Sequence, residues 1–577
     1  MAKSLNNFDQ YINQALDDWH IPGAAVAVVK GNDVLHMGGY GLRDVEQGLP
    51  VSEHTRFPIA SMTKPFTAMG AALLVDDGLL EWDQPIRDVM PEFRLADEYA
   101  TQHANLCDLL SHRTGLPRHE SAWYGQDKTH QELLQGLYHL KPNSSFRGAW
   151  QYNNLMYETV GYICARLTGF ESWQQFLQKR ILDVLGMKNT TPNFDESHKQ
   201  FDEVALPYML KQGESKPIQM PYFEFPQASP AGSIVSSLND LVTWMKVHTH
   251  GGTSNGVPFV TPSNLKQMHT PHMSIQTPLK PEHMFNNNLC AYGLGWFIEP
   301  YQGVTLLHHG GNVDGFSVTG AFVPQEDLSI IVLTNINAKD LRDVLVYEAL
   351  DRILGIEGKD WNQEFLKRDK TTVQAMVKAM ESSKDERIDS RPSTHSLEAY
   401  AGTYAIPGYA EIEIKWEAKT LHATFLGKWW KLEHYHYDVF ELDMSDQYQG
   451  KMKVAFGLDT NGEITSLSIP IEPTLNDFVF KRKPLKVSNQ VLEKLVGCYD
   501  FPIDSQNVVV TLKKETLYMT LPRGAEKALH CVKQSHDRLH FGLEKNENFS
   551  VEFIESHEGY EELCILHSGI AQKCARL

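Results

Sequence analysis

Two stretches near the C-terminus repeat each other, and no other feature constrains the fold of this chain as strongly. Tyr400-Ala401-Gly402-Thr403-Tyr404-Ala405-Ile406-Pro407 aligns with Leu495-Val496-Gly497-Cys498-Tyr499-Asp500-Phe501-Pro502. Further on, Lys419-Thr420-Leu421-His422-Ala423-Thr424-Phe425 aligns with Glu515-Thr516-Leu517-Tyr518-Met519-Thr520-Leu521. Both copies continue as strands, such as Ile412-Glu413-Ile414 and Val508-Val509-Val510. A repeat with strand character predicts two copies of one β unit, here two small antiparallel barrels at 396–484 and 485–577. Before them, residues 356–395 are rich in Lys, Asp, Glu and Ser and close at Arg391-Pro392-Ser393. That composition predicts a charged, partly helical connector. Residues 1–355 remain as a separate unit.

This unit opens with helical spacing at Phe8, Ile12, Ala15, Leu16 and Trp19, stopped by Pro22-Gly23. Ala24 to Val29 predicts a buried strand and Asp33 to Gly41 a second, with a turn at Gly31-Asn32. A helix followed by antiparallel strands is an α+β beginning. Leu80 to Leu185 is mostly helical, with breaks at Leu109–Pro117 and Ala149–Asn154 and a helix over Leu155–Leu167. Ser237 to His250 is a capped helix. Strands are predicted over Tyr292–Ile298, Val304–Leu307, Phe316–Val323 and Ser329–Thr334, then a helix over Leu341–Leu354. The two ends of the unit together supply the strands of one sheet.

Composition excludes several function classes. The formal net charge of −19 disfavours a general binder of nucleic acid or anionic membrane, which needs a basic surface. No run of about 18 apolar residues is present, and Met1 to Phe8 lacks a secretory apolar run, so no membrane association is expected. Seven scattered Cys, an odd number without metal-ligand spacing, predict buried free thiols and a cytoplasmic protein. His248 with His250, and His434 with His436, have no nearby carboxylate or Cys to complete a metal site. No phosphate-binding glycine loop appears, and no metal or cofactor is expected.

The chemistry centres on Arg56-Phe57-Pro58-Ile59-Ala60-Ser61-Met62-Thr63-Lys64-Pro65-Phe66. Helical spacing over Phe66, Met69, Ala72 and Leu73, a tolerated first-turn Pro65 and a stop at Gly78 place Ser61 at a helix N-terminus. Ser61 and Lys64 then share one helix face, a hydroxyl beside a proton acceptor. Such a serine needs a base network and donors for a tetrahedral oxyanion. Tyr152-Asn153-Asn154 offers a phenol that Lys64 would push toward phenolate, and an amide to bond the Lys64 amine and a substrate carbonyl. Read alone, the segment is a loop with Asn154 as a helix N-cap. His308-His309-Gly310-Gly311-Asn312, between two predicted strands, offers a glycine edge for close substrate approach and a backbone N–H for the oxyanion; read alone, it is a hairpin turn. Gly252-Thr253-Ser254-Asn255-Gly256 matches a nucleophile-elbow pattern but follows a helix with no buried strand before it.

In this order, Ser61-Met62-Thr63-Lys64, Tyr152-Asn153-Asn154 and His309-Gly310-Gly311 resemble the motifs of serine β-lactamases and penicillin-binding proteins, nearest the class C-like branch. Leu109–Pro117, Pro230-Ala231-Gly232-Ser233 and Tyr292-Gly293-Leu294-Gly295-Trp296 resemble that family too, so the likeness spans about residues 8–355. It implies an α+β, β-lactamase-like catalytic domain, an antiparallel sheet flanked by helices, followed here by two lipocalin-like barrels. It further implies Ser61 as acyl-enzyme nucleophile with Lys64 and Tyr152 as the proton-transfer pair, either of which could be the base. Asn154 would position amine and substrate. Backbone N–H groups of Ser61 and Asn312, on the His309-Gly311 edge, would hold the oxyanion, and His309 would bind or polarise substrate.

One departure shifts the expected substrate. The family's β-lactamases usually carry Lys-Thr-Gly as the third motif, and a neutral His309 in place of that Lys disfavours β-lactam hydrolysis. His-x-Gly and the doubled tail are similar to D-stereospecific aminopeptidases and related amidases and esterases. In such relatives an acidic barrel-loop residue pairs with a substrate ammonium, which makes Glu544 and Glu547 candidates. The expectation is a serine hydrolase of short peptides, amides or esters, D-aminopeptidase or D-amidase-like, with a small-molecule or short-peptide partner. The alternatives are a carboxylesterase and a non-catalytic penicillin-binding or scaffold protein. Oligomeric state and natural substrate are not encoded in these patterns.

Overall fold

The computed structural model describes residues 5–194, 201–211, 213–222, 229–276, 289–337, 340–384, 387–388, 390–444, 450–485, 487–502, 506–534, 538–543, 546–556, 559–567 and 570–577. Within the first unit a nine-stranded antiparallel sheet runs, edge to edge, Met273–Ile275, Cys290–Tyr292, Phe297–Tyr301, Val304–Val313, Phe316–Val323, Leu328–Thr334, Gly23–Lys30, Asp33–Asp44, Leu49–Pro50. Gly23–Lys30 lies against the late strand, Val26 opposite Val332, so the ends of the unit do complete one sheet.

Both faces of that sheet are covered, as its nearly continuous apolar strands require. On one face pack Phe8–Trp19, Leu341–Leu354 and the start of Trp361–Lys384. That last helix falls in the expected connector, yet its first turns are docked: Trp361 Nε1 donates to Asp351 2.7 Å away, and Trp19 Nε1 to Asn362 at 2.8 Å. On the other face lie Lys64–Asp76, Asn154–Thr168 and Leu238–Thr249. Residues 64–74 of the first of these are all buried, which marks a central helix.

Two expectations are corrected here. Tyr292–Ile298 is two strands, broken at Gly293–Trp296; the break rests on the helix start, where a Cβ on Gly295 would lie 2.9 Å from Pro65 Cα. The strand expected over Val304–Leu307 runs on to Val313, so His308–Asn312 is a strand edge and not the hairpin turn it suggests alone. There a Cβ on Gly311 would meet the Ile59 carbonyl at 2.2 Å, so glycine lets the strand approach the Ser61 segment.

The tail forms two eight-stranded antiparallel units. Strands from Gly402–Ala405 to Phe478–Arg482 close into a barrel. Those from Gly497–Phe501 to Ile570–Ala575 nearly close, through a bridge between Tyr499 and Arg576. The first barrel shares one buried apolar cluster with the face of the first unit that carries Ser61, while the second has a cluster of its own. No described helix is long and apolar enough to cross a membrane. All seven cysteines are free thiols; five are buried as expected, but Cys290 is half-buried and Cys498 exposed.

Candidate active site

Ser61 sits in a single 3-10 turn, Ala60–Thr63, which runs into the helix Lys64–Asp76 with Pro65 in its first turn. The residue before it, Ala60, has φ +46, a left-handed conformation that a non-glycine holds at a cost of about 1–3 kcal/mol. The adjacent strand at Gly311 buttresses it, since a Cβ there would come within 3.1 Å of Ala60 Cβ.

Lys64 is fully buried. Its Nζ lies 3.1 Å from Ser61 Oγ, 2.7 Å from Asn154 Oδ1 and 2.9 Å from the Ala231 carbonyl. Burial, with help from the Arg118 charge, holds its pKa well below the usual lysine range. Tyr152 hydrogen-bonds Ser61, and its ring lies 4.7 Å from Lys64 Nζ and 4.9 Å from the Arg118 guanidinium carbon. The expected drift toward phenolate is reversed. Burial pushes Tyr152 above the ordinary tyrosine range, outweighing the Ser61 hydrogen bond and the Arg118 charge. The buried amine, itself held toward neutrality, does not offset this.

The Tyr152 loop is fixed from behind. Asn153, not Asn154, caps the helix Asn154–Thr168: its side-chain oxygen accepts from Leu155 N–H, and its amide donates to the Pro117 carbonyl at 2.6 Å. The Asn153 N–H donates to His112 Nδ1 at 3.1 Å, and that imidazole packs on the Tyr152 ring at 4.3 Å. The break Leu109–Pro117 is thus the shelf on which Tyr152 rests.

Asn154 also donates to Glu120 Oε1 at 3.1 Å, and Arg118 pairs with the same oxygen at 2.9 Å. Burial raises the Glu120 pKa, against the Arg118 and Lys64 charges. Neither residue was singled out from the sequence. Its one signal was a charged pair, Arg118 and Glu120, directly after the Gly115-Leu116-Pro117 break.

His309 is buried with both nitrogens engaged. Nε2 accepts from the Tyr292 hydroxyl at 2.8 Å, and Nδ1–H donates to the Gly310 carbonyl at 2.7 Å. Burial and the Lys64 charge keep it well below the usual histidine range, hence neutral. Asn312 is one step from the two-residue turn Asp314-Gly315. In an antiparallel hairpin the alternate residue turns its N–H to the strand's other edge, and there that edge faces Ser61.

A cavity of about 410 Å³ opens over Ser61, Asn154 and Asn312, with Arg118, Glu120 and Asp314 among its polar walls. Its outer wall comes from the first barrel: Phe425, Leu426, Met452 and Ile471. His309 and Gly311 are not among its described lining residues. Glu544 lies outside the described residues, and the Glu547 side chain with it. Ser254 lies in a small hairpin, Thr253–Ser254 with Val257–Pro258, not at a strand–helix elbow. Among the described residues no group of three or more His, Cys, Asp or Glu is placed to hold a metal ion.

A cavity whose floor is a hydroxyl beside a buried amine suits acyl transfer. Residues 8–352 match the Beta-lactamase family, and residues 386–482 match a domain of unknown function, DUF3471. A relative from Aspergillus campestris named unguisins hydrolase ungD' is 28% identical over 426 residues, covering 71% of this chain and 78% of its own. The octameric penicillin-binding protein homologue from Pyrococcus abyssi has a similar fold, with a TM-score of 0.53, 22% identity, and coverage of 83% of this chain and 100% of that one. A class C beta lactamase from Rhodobacter sphaeroides gives a TM-score of 0.50 and 23% identity over 60% of this chain and 99% of its own.

Proposed function

The chain belongs to the beta-lactamase family, a family of hydrolases, and from that premise we propose a serine hydrolase that acylates at Ser61 and acts on short peptides, amides or esters. The observation that carries this reading is the Lys64 amine. When neutral it has two hydrogens, and two acceptors await them, Asn154 Oδ1 and the Ala231 carbonyl. Its lone pair then faces the Ser61 hydroxyl, so Lys64 is the base for acylation. Tyr152, kept a neutral phenol, passes a proton toward the leaving group. Backbone N–H groups of Ser61 and Asn312 stabilise the oxyanion, and Asn154 holds amine and substrate in register. Gly311 brings the strand close enough for this. His309, neutral and held by Tyr292, positions that strand and the Tyr152 ring without adding charge.

The cavity supports a reading of the substrate class. Its polar wall carries Asp314 beside the Arg118–Glu120 ion pair, a carboxylate in excess of the guanidinium that supports an acyl group bearing an ammonium. The barrel wall limits its length. A D-aminopeptidase or D-amidase-like activity fits both features. A relative named as a hydrolase of unguisins agrees with hydrolysis and does not choose the substrate. The apolar residues Phe425, Leu426, Met452 and Ile471 also favour a second reading, a carboxylesterase.

A fluorophosphonate probe followed by mass spectrometry is expected to label Ser61. Ser61→Ala is expected to lower hydrolysis of p-nitroanilides and p-nitrophenyl esters by at least about 10³-fold. Turnover of D- and L-alanine p-nitroanilide against p-nitrophenyl butyrate separates the readings: ester turnover alone leaves the carboxylesterase. An unlabelled Ser61 sinks the mechanism.

A further inference from the structure

Behind the barrel wall of the Ser61 cavity lies a second cavity of about 340 Å³, between the catalytic unit and the first barrel. The two share four lining residues, Ser121, Phe425, Leu426 and Ile471, so they meet across the turn after the strand Thr420–Phe425. Ser121 stands at the junction. It is 8% exposed, and its Oγ has no hydrogen-bond partner among the described residues. A buried hydroxyl without a partner is unfavourable, and it is satisfied when a ligand brings one.

The outer cavity also has a charge of its own. Glu411 and Glu413 line it, with no Lys or Arg among its described lining residues. Both carboxylates are about half-exposed and form ion pairs with the lysines at 483 and 415, of the weak, exchangeable kind found at a surface. Ile412, Phe425 and Phe480 supply apolar walls. Apolar walls with convergent carboxylates and a hydroxyl at the entrance describe a site for a short amine-bearing chain.

We propose that this cavity is an outer subsite that receives the amino end of acyl groups two residues long. The second residue passes Leu426, its backbone amide bonds Ser121 Oγ, and its ammonium lies between Glu411 and Glu413. This rests on the reading of Ser61 as an acylation site for amine-bearing substrates, and extends it from one residue to two.

The test is equilibrium binding to the Ser61→Ala protein by calorimetry, with D-alanyl-D-alanine amide, D-alanine amide and the N-acetyl derivative of each as probes. The free dipeptide amide is expected to bind about tenfold tighter than its acetylated form. That advantage should vanish when Glu411→Gln and Glu413→Gln are added. Ser121→Ala should weaken both dipeptide forms about tenfold relative to D-alanine amide, which is too short to reach past Leu426. An amine advantage that survives the double Glu→Gln change overturns the outer subsite and leaves the amine reading of the inner cavity standing. No preference for free amines in any probe, with the parent protein folded, overturns both.

Discussion

Tyr404 and Tyr499 hold equivalent places in the two barrels, and so do Arg482 and Arg576. Each tyrosine hydroxyl donates to the carbonyl four residues before it, at 2.9 Å in both copies. Each arginine ties the entering turn, Arg482 to the Ala399 and Ala401 carbonyls, Arg576 to those of Lys494 and Val496. A Cβ on Gly402 or Gly497 would press on that arginine at 3.0 and 3.1 Å. What differs is the outside. The first barrel meets the catalytic unit through Glu472, which accepts from the His119 N–H, through Tyr409, 2.6 Å from His119 Nδ1, and through Thr474, which accepts from Asn143. No such tie joins the second barrel to the catalytic unit among the described hydrogen bonds. One duplicated design thus serves in one place as a wall of the Ser61 cavity and in the other as a unit with its own core.

The sharpest way to break this contrast uses the matched pair Leu421 and Leu517, each 1% exposed. Either one changed to Ala should cost about 2–5 kcal/mol in its own barrel. Leu421→Ala is expected to lower both hydrolysis and the melting temperature of the catalytic unit; Leu517→Ala should unfold the second barrel in a separate transition and leave turnover intact. Equal loss of turnover in both would erase the distinction. A smaller effect is expected at the contact itself. Gly125 has φ +67, and a Cβ there would lie 2.3 Å from the Leu426 carbonyl. Gly125→Ala should cost about 1–3 kcal/mol and raise KM, whereas Gly542→Ala in the second barrel, with its nearest atom at 3.5 Å, should do neither.

The smallest expected effect is electrostatic and is read from the acidic limb of the pH–rate profile. On the proposed reading Lys64 acts as base only when deprotonated, so activity should fall as pH drops through its pKa. Arg118 lowers that pKa and Glu120 raises it. Arg118→Gln should therefore move the limb to higher pH and Glu120→Gln to lower pH. Since His119 between them is gripped by the first barrel, loosening that grip with Tyr409→Phe should blunt both shifts. Unmoved limbs would assign the base elsewhere.

The same division explains how much was legible in the residues. The three motifs could be placed in order because each is local: a helix face, a loop before a helix, a glycine edge. The sheet completed by both ends of the first unit followed from strand patterns alone. What could not be read depends on burial or on contacts hundreds of residues apart. Tyr152 went the wrong way because burial, which its neighbours in sequence do not reveal, outweighs the charges around it. His308–Asn312 has the composition of a turn and becomes strand because Phe316–Val323 pairs with it and Ile59-Ala60 needs its missing side chains. The Leu426 wall sits some 365 residues from Ser61, in a barrel whose twin looks the same and stays away.

The sheet also sets a timetable for synthesis. Val29 pairs with Ser329, so the central strand Gly23–Lys30 waits about 300 residues for its neighbour. At 5–20 residues per second that is roughly 15–60 s with a bare apolar edge on the nascent chain. The catalytic unit cannot finish folding until Leu328–Thr334 has left the ribosome, and the barrel that walls the cavity emerges only afterwards. A ribosome-bound chain stopped before residue 328 should therefore depend on chaperones, and one released after the first barrel should not.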